Sequence, residues 1–149
     1  MGVSAVLTAA ALLFVPGSAG QHTAAPTKDE LLALWTQPSS TSETAFRKAL
    51  AHRDSYAEYQ FDWTTDYCTD VPERPLGYPF GTACRRHDFG YRNYAEAGAF
   101  RVNRKRLDKA FLQDMRRRCA TVVPEQRRAC TAVAWTYYLA VRAVGTPEG

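Results

Sequence analysis

Four cysteines limit the folds that this chain can adopt: Cys68, Cys84, Cys119 and Cys130. An even number of cysteines in an exported chain predicts two disulfides, and four cysteines allow three pairings. Pairing neighbours in the sequence would close loops of about 10–15 residues, each worth roughly 3 kcal/mol in the chain-entropy model. A structural zinc site is the alternative, but the absence of a C-x-x-C pair disfavours it.

The N-terminus predicts an export signal, which agrees with this use of cysteine. Residues 3–15 form an uncharged run rich in Ala, Val and Leu, which Pro16 ends, and small residues follow through Gly20. Spanning a membrane takes roughly 20 apolar residues, which is more than this run provides. We therefore interpret residues 1–20 as a cleaved signal peptide rather than a transmembrane anchor. No Lys or Arg precedes the run, which departs from the usual signal pattern. We expect a secreted, extracellular protein.

The size and composition of the chain suit one globular domain. It has 149 residues, of which 46% are hydrophobic and 23% charged, and this balance is typical of folded rather than disordered chains. The formal net charge of +4 suits anionic partners, and it suits a merely basic surface equally well. We expect a short leader over residues 21–26 and a single domain over residues 27–149.

Hydrophobic periodicity predicts an all-α fold with little or no sheet. Thr27 and Glu30 form a capping box that begins the first helix. Prolines and glycines make residues 61–82 a long, stiffened loop, and such loops are often functional. The last helix is apolar on nearly all sides, so we expect it to be the central buried helix, ended by Gly145. The other predicted helices cover about residues 42–52, 83–97 and 102–119, and the last begins near Pro124.

Polar side chains fall on the apolar sides of two predicted helices. His87 and Asp88 lie among the inward residues of the helix over 83–97, and Asp108 lies in the apolar stripe of the next helix. Unpaired polar groups are costly in such positions. A short connection through Gly98 makes the two helices antiparallel neighbours, so His87 and Asp108 are expected to meet. The water-facing side of the first of these helices is predicted to carry Arg85, Arg86, Phe89, Arg92, Asn93 and Glu96.

An inward histidine beside an inward aspartate is the pattern of an oriented base. The carboxylate fixes the tautomer of His87 and stabilises the imidazolium that forms when a proton is taken. The chain has no G-x-S-x-G motif and no serine in either helix, which favours water as the nucleophile. The alternative is that His87 and Asp108 only satisfy each other as buried polar groups.

Asp88 requires a partner of its own, and Asp66 is the candidate. A Cys68–Cys84 bridge would bring Asp66 to the first turn of the helix that carries Asp88. Two neighbouring carboxylates repel each other unless a cation lies between them, and oxygen ligands favour calcium. On spacing alone, Asp66 is equally well interpreted as a helix cap or as the partner of an arginine.

The stretch C-R-R-H-D-F-G-Y-R-N-Y over residues 84–94 resembles the active-site helix of secreted phospholipases A2. Its C-x-x-H-D core is shared with the animal enzymes. Three further blocks are similar to the small bacterial and fungal branch: residues 61–68, 77–80 and 134–138. The resemblance extends over about residues 27–145, and these blocks in order make it specific. The glycine-rich calcium loop of the animal enzymes is absent, as in that branch.

The resemblance implies calcium-dependent hydrolysis of the sn-2 ester of glycerophospholipids, which gives a lysophospholipid and a free fatty acid. It implies a small all-α domain with two antiparallel core helices that carry the active site. The expected partners are phospholipid micelles or membrane surfaces, and the expected state is a monomer. The implied residues are His87 as general base, Asp108 as its partner, Asp66, Asp88 and the Tyr67 carbonyl as Ca2+ ligands, Tyr91 in support, and disulfides Cys68–Cys84 and Cys119–Cys130.

Two other classes of function remain as alternatives. A secreted, non-catalytic module that binds lipid or anionic surfaces would use the same fold. A nucleic-acid binder is disfavoured because no recognised motif is present and the basic residues are spread over several helices. Residues considered for contact with lipid are Arg85, Arg92, Lys105, Lys109 and Arg116 at head groups and Leu76, Tyr78 and Phe80 at an acyl slot, although a solvated face and core packing are the favoured interpretation of each.

Overall fold

The computed structural model describes residues 25–69 and 71–146, and it contains helices but no strand within them. The all-α prediction is therefore confirmed. The expected signal peptide over residues 1–20 lies outside the described residues, as does most of the expected leader. The helices are α1 (Lys28–Trp35), α2 (Ser40–Ala51), α3 (Gly81–Glu96), α4 (Phe100–Ala120) and α5 (Arg127–Val144), with 3-10 turns at Arg53–Tyr59, Pro75–Gly77 and Pro124–Gln126.

Side-chain caps set the start of the first two helices. The predicted capping box is present, because the Thr27 hydroxyl accepts from the Glu30 amide and the Glu30 carboxylate accepts from the Thr27 amide. Ser39 caps α2 by accepting from the amide of Ser42 at 3.2 Å, so α2 begins two residues before the predicted position. Within the described residues, no helix combines the length and the apolar character that crossing a membrane requires.

Helices α3 and α4 form the antiparallel pair that the sequence predicts. Residue numbers rise along α3 as they fall along α4, since Arg86 contacts Asp114 while Tyr94 contacts Arg106. Gly98 lies in the turn between them with a φ of 66°, a left-handed conformation that favours glycine. This pairing places the inward polar residues of both helices side by side.

Two hydrophobic cores lie against the α3–α4 pair. Helices α1 and α2 contribute to an aromatic core in which Phe89 of α3 packs against Trp63 and Phe46 at centroid distances of 4.8 Å and 5.1 Å. Helix α5 contributes Cys130 and Ala134 to the other core, which also contains Met115 of α4. The α3–α4 pair is therefore covered from more than one side.

The two disulfides follow the pairing that the resemblance implied. Cys68 bonds Cys84 with a Cα–Cα distance of 5.2 Å, and Cys119 bonds Cys130 at 5.5 Å. No cysteine is left free, so the zinc alternative does not apply. The first bridge joins the loop before α3 to the first turn of α3, and the second joins α4 to α5.

The expectation that the last helix is the central buried helix is wrong. Only Cys130 and Ala134 of α5 are buried, whereas Trp135 is 44% and Leu139 is 59% exposed. Helix α5 packs on α4 with one face and exposes another, on which Trp135 and Leu139 lie. Average hydrophobicity predicts burial on all sides only where neighbours are available on all sides. The helix also begins at Arg127, after a 3-10 turn at Pro124, and it ends before Gly145 as predicted.

The expectation that one side of the third helix faces water is wrong for three residues: Arg86, Phe89 and Asn93 are buried. The aromatic core with α1 and α2 covers this side of α3. Arg86 donates to both oxygens of Asp114 at 2.8 Å, and the Asn93 amide nitrogen donates to the Asp62 carbonyl at 2.8 Å. Helical periodicity therefore misassigned these positions, because Phe89 has a second core to pack into and the polar groups of Arg86 and Asn93 are satisfied by specific partners inside the fold.

Glu43 connects α2 to α4, and its loss should destabilise the protein. It accepts hydrogen bonds from Arg117 at 2.6 Å and from Arg118. Burial raises the pKa of Glu43, but the two guanidinium groups outweigh it and hold the pKa below its ordinary value. We predict that Glu43→Gln lowers the free energy of unfolding at pH 7 by about 1–3 kcal/mol.

The same substitution should also change the pH dependence of stability. A depressed pKa gives stability that is present above the unfolded pKa and is lost as pH falls through the folded pKa. The difference in urea unfolding between wild type and Glu43→Gln should therefore shrink below about pH 4. The exposed Glu58→Gln serves as the control, and a Glu43 difference that is constant from pH 7 to pH 3 would contradict the assignment.

Candidate active site

His87 and Asp108 meet between α3 and α4. The His87 Nε2 atom lies 2.9 Å from the Asp108 Oδ1 atom. The Asp108 side chain is fully buried, and that of His87 is 7% exposed. Because Nε2 is used by the carboxylate, Nδ1 is the ring nitrogen left for chemistry.

Burial and hydrogen bonding adjust the charge of the pair. Burial lowers the pKa of His87 below its ordinary value, although Asp108 opposes this effect. Burial raises the pKa of Asp108, but hydrogen bonds from His87, Tyr91 and Arg142 outweigh it and bring the pKa below its ordinary value. A neutral imidazole held by an ionised carboxylate is the state that can accept a proton at neutral pH.

Tyr91 lies one helical turn after His87 on α3 and supports the same carboxylate. Its hydroxyl donates to Asp108 Oδ1 through a short hydrogen bond, and its ring centroid lies 4.0 Å from that of His87. Burial raises the pKa of the Tyr91 phenol, so it stays protonated and acts as a donor. The Tyr91 hydroxyl and His87 Nε2 therefore share one oxygen of the carboxylate.

Arg142 of α5 occupies the other oxygen of the carboxylate, and the sequence analysis did not indicate it. Its Nη1 atom donates to Asp108 Oδ2 at 2.6 Å. The available signal was that Arg142 is the one charged residue in the apolar stretch over residues 129–144. A charge in such a stretch usually has a specific partner.

Asp66 and Asp88 lie close enough for their charges to interact. Burial and the charge of Asp66 raise the pKa of Asp88 to about 6, against a hydrogen bond from the Thr65 hydroxyl at 2.5 Å. Asp66 also has an arginine partner, as the alternative interpretation held, because Arg92 donates to it at 2.7 Å. Asp66 therefore has both a neighbouring carboxylate and an arginine partner.

The loop that carries Asp66 is fixed to α3. Tyr67, next to the Cys68–Cys84 bridge, has a φ of 60°, and its amide donates to the Thr65 hydroxyl at 2.9 Å. Within residues 25–69 and 71–146, no group of three or more His, Cys, Asp or Glu side chains is arranged to hold a metal ion. The buried Asp88 and the exposed Asp66 are two neighbouring carboxylates that repel each other, a donor set that fits a hard cation.

A cavity of about 320 Å³ opens beside His87. Its walls are mainly apolar: the Cys68–Cys84 bridge, Phe111 of α4, and Tyr137 and Val141 of α5. Asp88 also lines it, so His87 and one carboxylate of the pair face the same space. An apolar cavity with a few polar groups at one end suits a ligand with a long apolar part and a polar part.

The residues considered for contact with lipid differ in their exposure to solvent. Tyr78 and Phe80 are buried in the core rather than placed at an acyl slot, as the favoured interpretation held, whereas Leu76 is 81% exposed. Lys105, Lys109 and Arg116 are exposed on α4, and Arg85 and Arg92 are partly exposed on α3.

The fold and the site together define the class of this protein. It is an all-α domain in which a histidine–aspartate pair lies beside an apolar cavity. The model of the family described as prokaryotic phospholipase A2 matches residues 39–145, most of the chain. The chain belongs to this family.

Two curated proteins are similar to the chain, and both are named secretory phospholipase A2. One, from Beauveria bassiana, is 41% identical over 97 residues, which cover 64% of this chain and 50% of that protein. The other, from Arthroderma benhamiae, is 35% identical over 88 residues, which cover 56% of this chain and 60% of that protein. The chain spans about half the length of these relatives. The matches agree with the resemblance to the bacterial and fungal branch.

Removing the Tyr91 hydroxyl should weaken the site without removing the fold. We predict that Tyr91→Phe lowers the free energy of unfolding by about 1–3 kcal/mol, because a buried carboxylate loses one of its donors. Urea unfolding measures the loss. Tyr56→Phe is the control, since this half-buried tyrosine packs against Trp35 through its ring. Equal stability of Tyr91→Phe and wild type would show that the hydrogen bond contributes nothing.

Proposed function

We propose that this protein is a secreted, calcium-dependent phospholipase A2 that hydrolyses the sn-2 ester of glycerophospholipids with water activated by His87. The observation that carries the proposal is the buried His87–Asp108 hydrogen bond beside an apolar cavity. Family membership and the names of the two relatives support the same reaction class. The products are a lysophospholipid and a free fatty acid.

The residues of the pair carry the proton transfers. His87 takes a proton from water at Nδ1 as the water oxygen attacks the sn-2 carbonyl carbon. Asp108 stabilises the imidazolium through Nε2 and keeps the ring oriented. The imidazolium then gives its proton to the oxygen of the leaving alcohol. No covalent enzyme intermediate is needed.

Asp66 and Asp88 hold calcium through their carboxylates, and Tyr67 holds it through its backbone carbonyl. The support is the raised pKa of Asp88, which reflects a partly buried negative charge beside a second one. When bound, calcium supplies positive charge next to oxygens that become negative. Arg92 forms an ion pair with Asp66, so its guanidinium would share or release that carboxylate to a bound ion.

The cavity holds the sn-2 acyl chain, and the exposed face of α5 meets the lipid aggregate. Val144 and Ala140 of α5 line the cavity, and Trp135 and Leu139 on the same helix are exposed beside them. Val144 lines the cavity and is itself 75% exposed, so the apolar surface extends from the cavity to the outside of the protein. Large exposed apolar patches are typical of contact surfaces.

Export is part of the proposal. Both relatives are named secretory, and all four cysteines of this chain form disulfides. Disulfides persist in oxidising, extracellular environments. The protein is proposed to act there as a monomer, over a catalytic domain of residues 27–149, on micelles or membrane surfaces rather than on nucleic acid.

Replacing the base should abolish hydrolysis. We predict that His87→Asn lowers the rate of release of labelled fatty acid from sn-2-labelled phosphatidylcholine micelles by at least about 100-fold, the usual contribution of a positioned base. His52→Asn, at an exposed histidine, should release label like wild type. Substrate labelled at sn-1 should release no labelled fatty acid with any variant, because its label stays on the lysophospholipid.

Either of two outcomes would contradict the proposal. No release by folded wild type with both disulfides would favour a non-catalytic module that binds lipid surfaces. Normal release by His87→Asn would keep a hydrolase but remove His87 as its base.

Removing calcium or its ligands should also stop the reaction. We predict that EDTA abolishes release by wild type and that Asp88→Asn weakens calcium binding by at least about 10-fold in isothermal titration calorimetry. Asp54→Asn, at an exposed carboxylate, is the control. Release that is unchanged by EDTA would rule out the calcium site while leaving the histidine mechanism in place.

A further inference from the structure

Arg142 reaches from the end of α5 to the carboxylate that orients His87. Asp108 uses Oδ1 for His87 and Tyr91, and it uses Oδ2 for Arg142 at 2.6 Å. All three donors thus converge on one side chain that is 0% exposed. A buried carboxylate is stable only when donors and opposite charge compensate it, and Arg142 supplies both.

A second arginine joins the same two helices, but it lies on α4 and contacts α5. Arg104 of α4 donates to the carbonyls of Val141 and Arg142 at 2.6 Å and 3.0 Å. Those carbonyls belong to the last turn of α5, and the Val141 carbonyl also accepts from the Gly145 amide at 3.0 Å. The Arg104 Nε atom lies 3.9 Å from Asp108 Oδ2. The two arginines therefore fasten the end of α5 to the turn of α4 that carries Asp108.

The fastened turn is also a wall of the cavity. Val141, Val144 and Gly145 line it. A Cβ atom built on Gly145 would lie 2.6 Å from the Val141 carbonyl oxygen and 3.0 Å from the Tyr91 hydroxyl, so this turn packs tightly against Tyr91. The position of the carboxylate and the shape of the cavity thus depend on one turn of α5.

We propose that Arg142 is a positioning residue for the reaction: by holding Asp108 Oδ2 it prevents the carboxylate from rotating and keeps Oδ1 on His87. The inference rests on the proposed function. A carboxylate held by one oxygen is free to turn about its last bond, whereas one held by both oxygens is not. The effect of Arg142 is therefore on the rate of the chemical step rather than on lipid binding.

Steady-state kinetics of Arg142→Gln, Arg142→Lys and Arg142→Ala test this role on monomeric short-chain phosphatidylcholine. Arg142→Gln should lower kcat by about 10–100-fold, the range for losing a hydrogen bond to a charged group, with KM within about 2-fold of wild type. Arg142→Lys should recover part of the loss. Added methylguanidinium should raise the activity of Arg142→Ala but not that of His87→Asn. Arg128→Gln, at an exposed arginine of α5, is the matched control.

A spectroscopic readout separates positioning from stability. The Nε2 proton of His87 should give a downfield NMR resonance in wild type, because it is hydrogen-bonded to a buried carboxylate. This resonance should broaden or move upfield in Arg142→Gln while the amide spectrum stays that of a folded protein. A loss of activity that only matches a loss of folded protein would overturn the inference.

The outcomes distinguish this inference from the proposed function. If wild type releases no fatty acid, the proposed function fails and the role of Arg142 fails with it. If wild type is active and Arg142→Gln keeps both the wild-type kcat and the His87 resonance, the inference alone is overturned.

Discussion

Asp108 carries a carboxylate that has no contact with water, and the burial of this charge constrains everything around it. It is stable because His87 and Tyr91 of α3 and Arg142 of α5 all donate to it. Those donors reach it only if α3 lies antiparallel to α4 and α5 ends beside the same turn. The hydrogen bonding of one side chain therefore specifies how three helices pack, and the same packing leaves the cavity open at His87.

Helix geometry then relates His87 to the carboxylate pair. His87 and Asp88 are consecutive on α3, so the helix fixes their separation. Asp66 is brought to them by the Cys68–Cys84 bridge and by Asn93, whose side chain binds the backbone of Asp62. Because that loop is attached to the helix that carries His87, the two carboxylates lie at a set position relative to His87.

Much of this arrangement could be predicted from the sequence, because periodicity reports which residues point inward. The inward positions of His87 and Asp108 predicted their contact, and cysteine spacing together with family resemblance predicted both bridges. What periodicity does not report is how many sides of a helix have neighbours. Arg86 was predicted to face water, but it forms an ion pair with the buried carboxylate of Asp114. Helix α5 was predicted to be the central buried helix, but one of its faces is exposed. The contact of Arg142 with Asp108 joins residues 34 positions apart, which no local pattern reveals.

The most direct test of the account is a double-mutant cycle on the His87–Asp108 pair. It compares kcat for sn-2 hydrolysis in His87→Asn, Asp108→Asn and the double variant, each normalised to folded protein with both disulfides. The account predicts that each single variant loses most of the activity and that the double variant is no slower than the slower single one, because the two side chains act as a unit. Losses that multiply, or an Asp108→Asn variant with wild-type kcat, would contradict it.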